Sequence, residues 1–99
     1  MNYITVVRGK LKGNPQNAQK MHDATVEQLS VMTRPMGAIS HKPHLNPQDP
    51  TQFLAIDTWN NLEGLQKFMS DPQVAAAFGE LFEGMPDISI WAESDWASF

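Results

Sequence analysis

Three histidines, His22, His41 and His44, belong to the one side-chain type that ordinarily gains and loses a proton near neutral pH. His22 falls on the apolar stripe of an expected helix, one turn from Ala18 and Val26. Two readings stand for it: a core-edge histidine with one hydrogen bond, or a base or hydrogen-bond partner facing a pocket between helix and sheet. His41 shares strand parity with Ile39 and points either into that interior or into a subunit interface. His44 sits among prolines and reads as solvated. No two of the three stand at i, i+4 on one helix, and no carboxylate completes a metal triad by its spacing. Cysteine is absent, which removes thiolate nucleophiles, disulfides and cysteine-based metal sites. The run from Gly9 to Gly13 lacks the spacing of a phosphate-cradling loop.

A second set of residues could form walls. Trp59, Phe68, Phe78, Phe82 and Trp91 concentrate aromatic surface in the C-terminal half, with Trp96 close behind. Such a set reads as core, or as the lining of an apolar pocket for a planar ligand. Six methionines add adaptable wall material. Asp57 shares strand parity with Trp59 and reads as a partly buried acid or as the ion-pair partner of a nearby Lys or Arg, the structural role being preferred. Tyr3, Arg8 and Arg34 are further polar groups able to orient a phenolate or carboxylate.

These groups must be positioned by a single domain, residues 1–99, which is all that 99 residues allow. The formal charge of −4 and the scattering of seven basic residues argue against a nucleic-acid partner. No run approaches the roughly 20 apolar residues of a membrane helix, and the N-terminus reads as a strand rather than a signal peptide. The expectation is a cytoplasmic protein without a membrane or nucleic-acid partner.

The elements follow from periodicity and punctuation. Tyr3 to Leu11 is β-branched and ends at Gly13-Asn14-Pro15, a strand followed by a cap and a first-turn proline. Ala18, Met21, His22, Thr25, Leu29 and Met32 recur at helical spacing. The helix should end near Thr33, ahead of Pro35 and Gly37. Ala38 to Lys42 is a second strand, with 41–50 expected as a proline-rich connection. Phe53 to Trp59 is a third strand, apolar enough to be covered on both faces. Asn60 with Glu63 suggests a capping box for a short helix bearing Leu62, Leu65 and Met69. Asp71-Pro72 opens another helix, with Val74, Ala77, Phe78 and Leu81 on one side. Asp87 to Trp96 completes the set as a fourth strand. The order is β-α-β-β-α(α)-β, an α+β, ferredoxin-like antiparallel sheet with helices on one face. Its bare face would be covered by a second sheet in a homodimer.

Gly37-Ala38-Ile39-Ser40 opening the second strand, Asp49-Pro50 before the third, Asp57-Thr58-Trp59 ending it, and the capped helix pair broken at Ser70-Asp71-Pro72 carry a resemblance over most of the chain. The sequence resembles the antibiotic-biosynthesis-monooxygenase-like (ABM) family of small dimeric α+β barrel proteins. The resemblance implies a monooxygenase that oxidises a small aromatic, phenolic or quinol-type compound with O2 and no cofactor. For such chemistry His22 or His41 could take the substrate proton as the catalytic base and Trp59 could donate a hydrogen bond, with Phe68, Phe78, Phe82 and Trp91 as the apolar surroundings of the substrate; no family motif fixes these assignments. A non-catalytic ligand-binding or regulatory dimer and a haem-binding protein are the alternatives. The family's haem-degrading branch carries a Trp and a His that would fall near Phe68 and Phe78. Both are Phe here, which speaks against that chemistry.

Overall fold

The computed structural model describes residues 1–99. The chain runs through β1 (Tyr3–Lys10), α1 (Pro15–Thr33), a 3-10 turn (Arg34–Met36), β2 (Ala38–Asn46), β3 (Asp49–Trp59), α2 (Leu62–Met69), α3 (Pro72–Leu81) and β4 (Asp87–Ala92). The strands form one antiparallel sheet in the order β2-β3-β1-β4. This is the expected α+β, ferredoxin-like arrangement.

Helix starts follow their caps. Asn14 Oδ1 accepts from the Asn17 amide at 2.9 Å, and Pro15 stands at the first helical position, where its missing N–H costs nothing. Asp71 caps α3 in the same way, accepting from the Gln73 amide at 2.8 Å ahead of Pro72. The cap of α2 is Asn61 rather than Asn60: its side chain accepts from Gly64 N at 3.1 Å. The Asn60 amide is already committed to the Gly37 carbonyl at 2.9 Å, holding the end of β3 beside the start of β2. Gly37 itself has φ +111°, and a Cβ there would press on Asn60 and Asn61.

The proline-rich segment is strand, not loop. β2 continues to Asn46 and turns tightly into β3 at Asp49. Pro43 is tolerated because β2 is an edge strand, where a missing donor breaks no ladder. Asn46 Oδ1 accepts from the Gln48 and Asp49 amides at 2.8 and 3.2 Å, and this reinforces the turn at 47–48. On the far side of the turn, the Thr51 hydroxyl (2.6 Å) and amide (3.1 Å) both donate to Asp49 Oδ1. The hydroxyl bond first, and the amide bond next, hold the Asp49 carboxyl below its ordinary 3.8. A folded-state value below the unfolded one stabilises the turn fully above pH 3.8, and that contribution is lost as pH falls through the lowered value. Amide exchange at Thr51 is therefore expected to accelerate relative to the sheet centre in that acid range. In Asp49→Asn the acid limb should be missing, and an unchanged limb would sink the assignment.

Helices cover one face of the sheet. Thr5, Val7, Phe53, Ala55 and Trp59 are buried beneath them. Val7, Leu11, Ala18, Phe53, Ala55 and Phe82 form the central cluster, with Phe78 and Leu81 packed against it. A bridge between Leu11 and Phe82 ties the end of α3 to the strand edge. The opposite face carries Ile4, Val6, Leu54 and Ile56, and no element of the chain lies over it. The expectation that β3 is covered on both faces thus holds for one face only within a single chain. β4 is also shorter than expected, and residues 93–99 leave the sheet. No helix is long and apolar enough to cross a membrane.

Candidate functional site

A cavity of about 120 Å³ lies between the sheet and the helices. Its floor is Val7, Phe53, Ala55, Asp57 and Trp59 from β1 and β3, and its walls come from α1, α2 and α3. Alternation along β3 explains the floor: residues 53, 55, 57 and 59 all face the helices. Phe68 enters from α2 with its ring 5.4 Å from that of Trp59. Phe78 and Phe82 close the far side, and Phe82 meets Phe53 edge to face at 5.4 Å. The lining is predominantly apolar, with hydroxyls from Thr25, Ser30, Thr33 and Ser40 along α1 and the start of β2.

The polar end of the cavity is a chain of four side chains. His22 Nε2 and His41 Nε2 lie 2.8 Å apart. His41 Nδ1 lies 2.6 Å from Asp57 Oδ1, and His22 Nδ1 lies 3.0 Å from Asp23 Oδ1. The two imidazole rings stack with centroids 5.1 Å apart, and the Phe53 ring flanks His22 at 5.6 Å. Asp57 is well sheltered, its side chain 14% exposed, whereas Asp23 is 63% exposed. His22 also borders a second, outer groove of about 350 Å³, with Gln16, Gln19 and Asp23 on its rim. The imidazole of His22 therefore stands in the wall between cavity and groove.

His41 reaches this position through a β-bulge. The register runs from Ala38 opposite Trp59 to Ser40 opposite Thr58 and His41 opposite Asp57, so one extra residue is absorbed between Ala38 and Ser40. A regular strand would keep Ile39 and His41 on one face. Here Ile39 stays 54% exposed while His41 turns towards α1.

Of the aromatic residues singled out in the sequence, Trp59, Phe68, Phe78 and Phe82 line the cavity. Trp91 does not. It pairs with Ile4 on the uncovered face of the sheet, 61% exposed, and its indole N–H donates to Ser89 Oγ at 2.8 Å. Alternation placed Trp91 opposite Ile88 and Ile90 correctly, but which of the two sets meets the helices depends on register with β1. His44 is on β2 rather than in a loop, exposed, with Nδ1 3.0 Å from the Lys42 carbonyl oxygen and no share in the cavity. Asp57, which the sequence reads as a partly buried acid or an ion-pair partner with a structural role preferred, and Asp23, which it does not single out, are the members that sequence reasoning did not assign to the site. The shared parity of Asp57 and Trp59 was the available signal for the first. The second is one residue from His22 on a helix and carries no sequence signal of its own.

No family model matches the sequence, and no curated protein matches it. Solved structures do match. The chain superposes on SnoaB, a cofactor-independent oxygenase from Streptomyces nogalater, with a TM-score of 0.74 at 13% identity, over 96% of this chain and 95% of that one. A protein from Bordetella bronchiseptica, provisionally named an antibiotic biosynthesis monooxygenase, gives a TM-score of 0.72 at 12% identity over 94% and 97%. One from Chloroflexus aurantiacus, named in the same provisional way, gives 0.66 at 18% identity over 99% and 98%. The chain has the α+β fold that these ABM-like proteins share. At such identities the likeness is one of fold, and function has to be argued from the site.

Proposed function

We propose that this protein is a cofactor-independent monooxygenase acting on a small phenolic or quinol-type compound, and that it works as a homodimer. The observation that carries the reading is the His22–His41 contact of 2.8 Å at the polar end of an apolar cavity. A phenol bound with its ring against Phe53, Phe78 and Phe82 and its hydroxyl towards the histidines would lose its proton to them. The resulting electron-rich anion, surrounded by apolar side chains rather than water, can pass an electron to oxygen itself. The protein then supplies deprotonation, orientation and desolvation. At about 120 Å³ the cavity is somewhat smaller than the roughly 150 Å³ apolar space that holds benzene, which limits a ligand to a single ring reaching into it. The oxygenase named among the fold neighbours supports the reaction class. The uncovered face of the sheet, with Ile4, Val6, Leu54 and Ile56, supports the dimer.

Oxygen uptake is the decisive assay, run on whichever phenols or quinols raise the melting temperature in a dose-dependent way. His22→Ala and His41→Ala are each expected to lower the rate by about 10²–10⁴-fold, the range that general-base catalysis supplies. Wild-type uptake in both variants would remove the histidines from the mechanism. A ligand that binds tightly yet is never oxidised would leave a binding protein on the same scaffold.

A further inference from the structure

Every ring nitrogen of His22 and His41 is engaged, and the donors and acceptors do not balance with neutral rings. An ionised carboxylate only accepts, so the Nδ1 atoms beside Asp57 and Asp23 must both carry their protons. A neutral imidazole protonated at Nδ1 keeps a lone pair at Nε2. The two Nε2 atoms are the pair that face each other at 2.8 Å. Three contacts therefore call for three protons, and two neutral rings supply two. Two lone pairs are left directed at one point.

We propose that this point is where the substrate proton lands, and that Asp57 is a positioning residue that makes the two histidines act as one base. The source of the proton rests on the oxygenase reading; the arrangement of the pair does not. In the step itself the substrate O–H bond breaks and its electron pair stays on oxygen, giving the phenolate. The proton forms an N–H bond to one Nε2 and a hydrogen bond to the other. No electron is transferred in this step. Uptake replaces a lone-pair repulsion by a charge-assisted N–H···N bond, and the single positive charge stands between two carboxylates. Of the two, Asp57 dominates. It is the closer, at 2.6 Å against 3.0 Å, and the better sheltered, while Asp23 is screened by water.

The geometry favours a proton over a metal ion. Nitrogen ligands about 2.0–2.1 Å from zinc in a tetrahedron stand more than about 3 Å apart. Asp57 and Asp23 meet the rings at Nδ1, on the side away from the facing Nε2 atoms, and no group of three or more His, Cys, Asp or Glu side chains is arranged to hold a metal ion.

The test uses the whole protein labelled with 15N-histidine and 4-nitrophenol as the probe, a one-ring phenol whose ionised form is coloured. The ligand-free protein is expected to show both rings protonated at Nδ1. Binding 4-nitrophenol should develop the phenolate colour together with a far-downfield proton resonance correlated with both Nε2 nuclei. Asp57→Asn should bind the probe as the uncoloured phenol and lose the shared resonance, while Asp57→Glu restores both in part. With a turned-over substrate, Asp57→Asn should lower kcat by about 10²–10⁴-fold with KM little changed. A ligand-free His41 protonated at Nε2 with Nδ1 bare would overturn the proposal. So would stoichiometric zinc uptake that removes the shared resonance. The shared resonance without oxygen uptake from any phenol would sink the oxygenase reading and leave the pair standing; uptake without the resonance would do the reverse.

Discussion

Gly64→Ala is expected to lower the melting temperature by on the order of 5–15 °C, a large stability loss for the addition of one methyl group. Gly64 is buried in the first turn of α2, and a Cβ built there would overlap the Met36 carbonyl oxygen. That atom is backbone, fixed by the 3-10 turn that links α1 to β2, so no side-chain rotation relieves the clash. Alanine in a helix normally gains about 1 kcal/mol over glycine. Here the steric term wins, since overpacking against fixed structure costs about 1–3 kcal/mol and sometimes more. The site feels it too. Moving α2 outward withdraws Phe68 from Trp59 and opens one wall of the cavity. Thermal unfolding followed by circular dichroism measures the effect, and a melting temperature within a few degrees of wild type would mean that α2 does not pack against the turn as described.

Ala77→Phe is expected to have the opposite profile: binding abolished, stability kept or slightly raised. Ala77 faces the cavity from α3 between the Val74 and Leu81 turns. A phenyl group placed there fills much of the roughly 120 Å³ that the ligand would occupy, and it buries apolar surface instead of leaving a void. A dose-dependent thermal shift seen with the wild type should vanish, and oxygen uptake with it. Continued turnover in Ala77→Phe would place the substrate outside this cavity. The pair of variants separates damage to the scaffold from occlusion of the site.

Much of the fold was legible because its punctuation is local. Asn14-Pro15 and Asp71-Pro72 fix helix starts through bonds that span two or three residues, and alternation puts Asp57 and Trp59 on the same face of β3. What escaped depended on partners distant in sequence. The prolines of 41–50 read as a loop because nothing local says that β2 is an edge strand, where Pro43 is harmless. Asn60 was the capping candidate on pattern, but its backbone is held to Gly37 at the end of the sheet and α2 begins at Leu62, which puts Asn61 at the cap. Trp91 belonged to the right alternation and to the opposite face. The four-residue chain at the polar end combines α1, β2 and β3, and only the register of β2 against β3 brings it together.

That register has a consequence for reading related sequences. Counting back from the turn, Leu45 faces Phe53, Pro43 faces Ala55 and His41 faces Asp57. The regular pairing from Leu45 back to Ser40 acts as a ruler bounded by an irregularity at each end, one between Leu45 and Asn46 beside the turn and one at 39. A gap in an alignment at position 39 would then be silent for the site, because it merely regularises the strand. A gap between 42 and 45 would either be taken up by the irregularity beside the turn or bring a neighbouring residue opposite Asp57 and put His41 out of register. Two sequences with the same residues and the same fold can thus differ in chemistry through the placement of one deletion, a difference that percentage identity does not record.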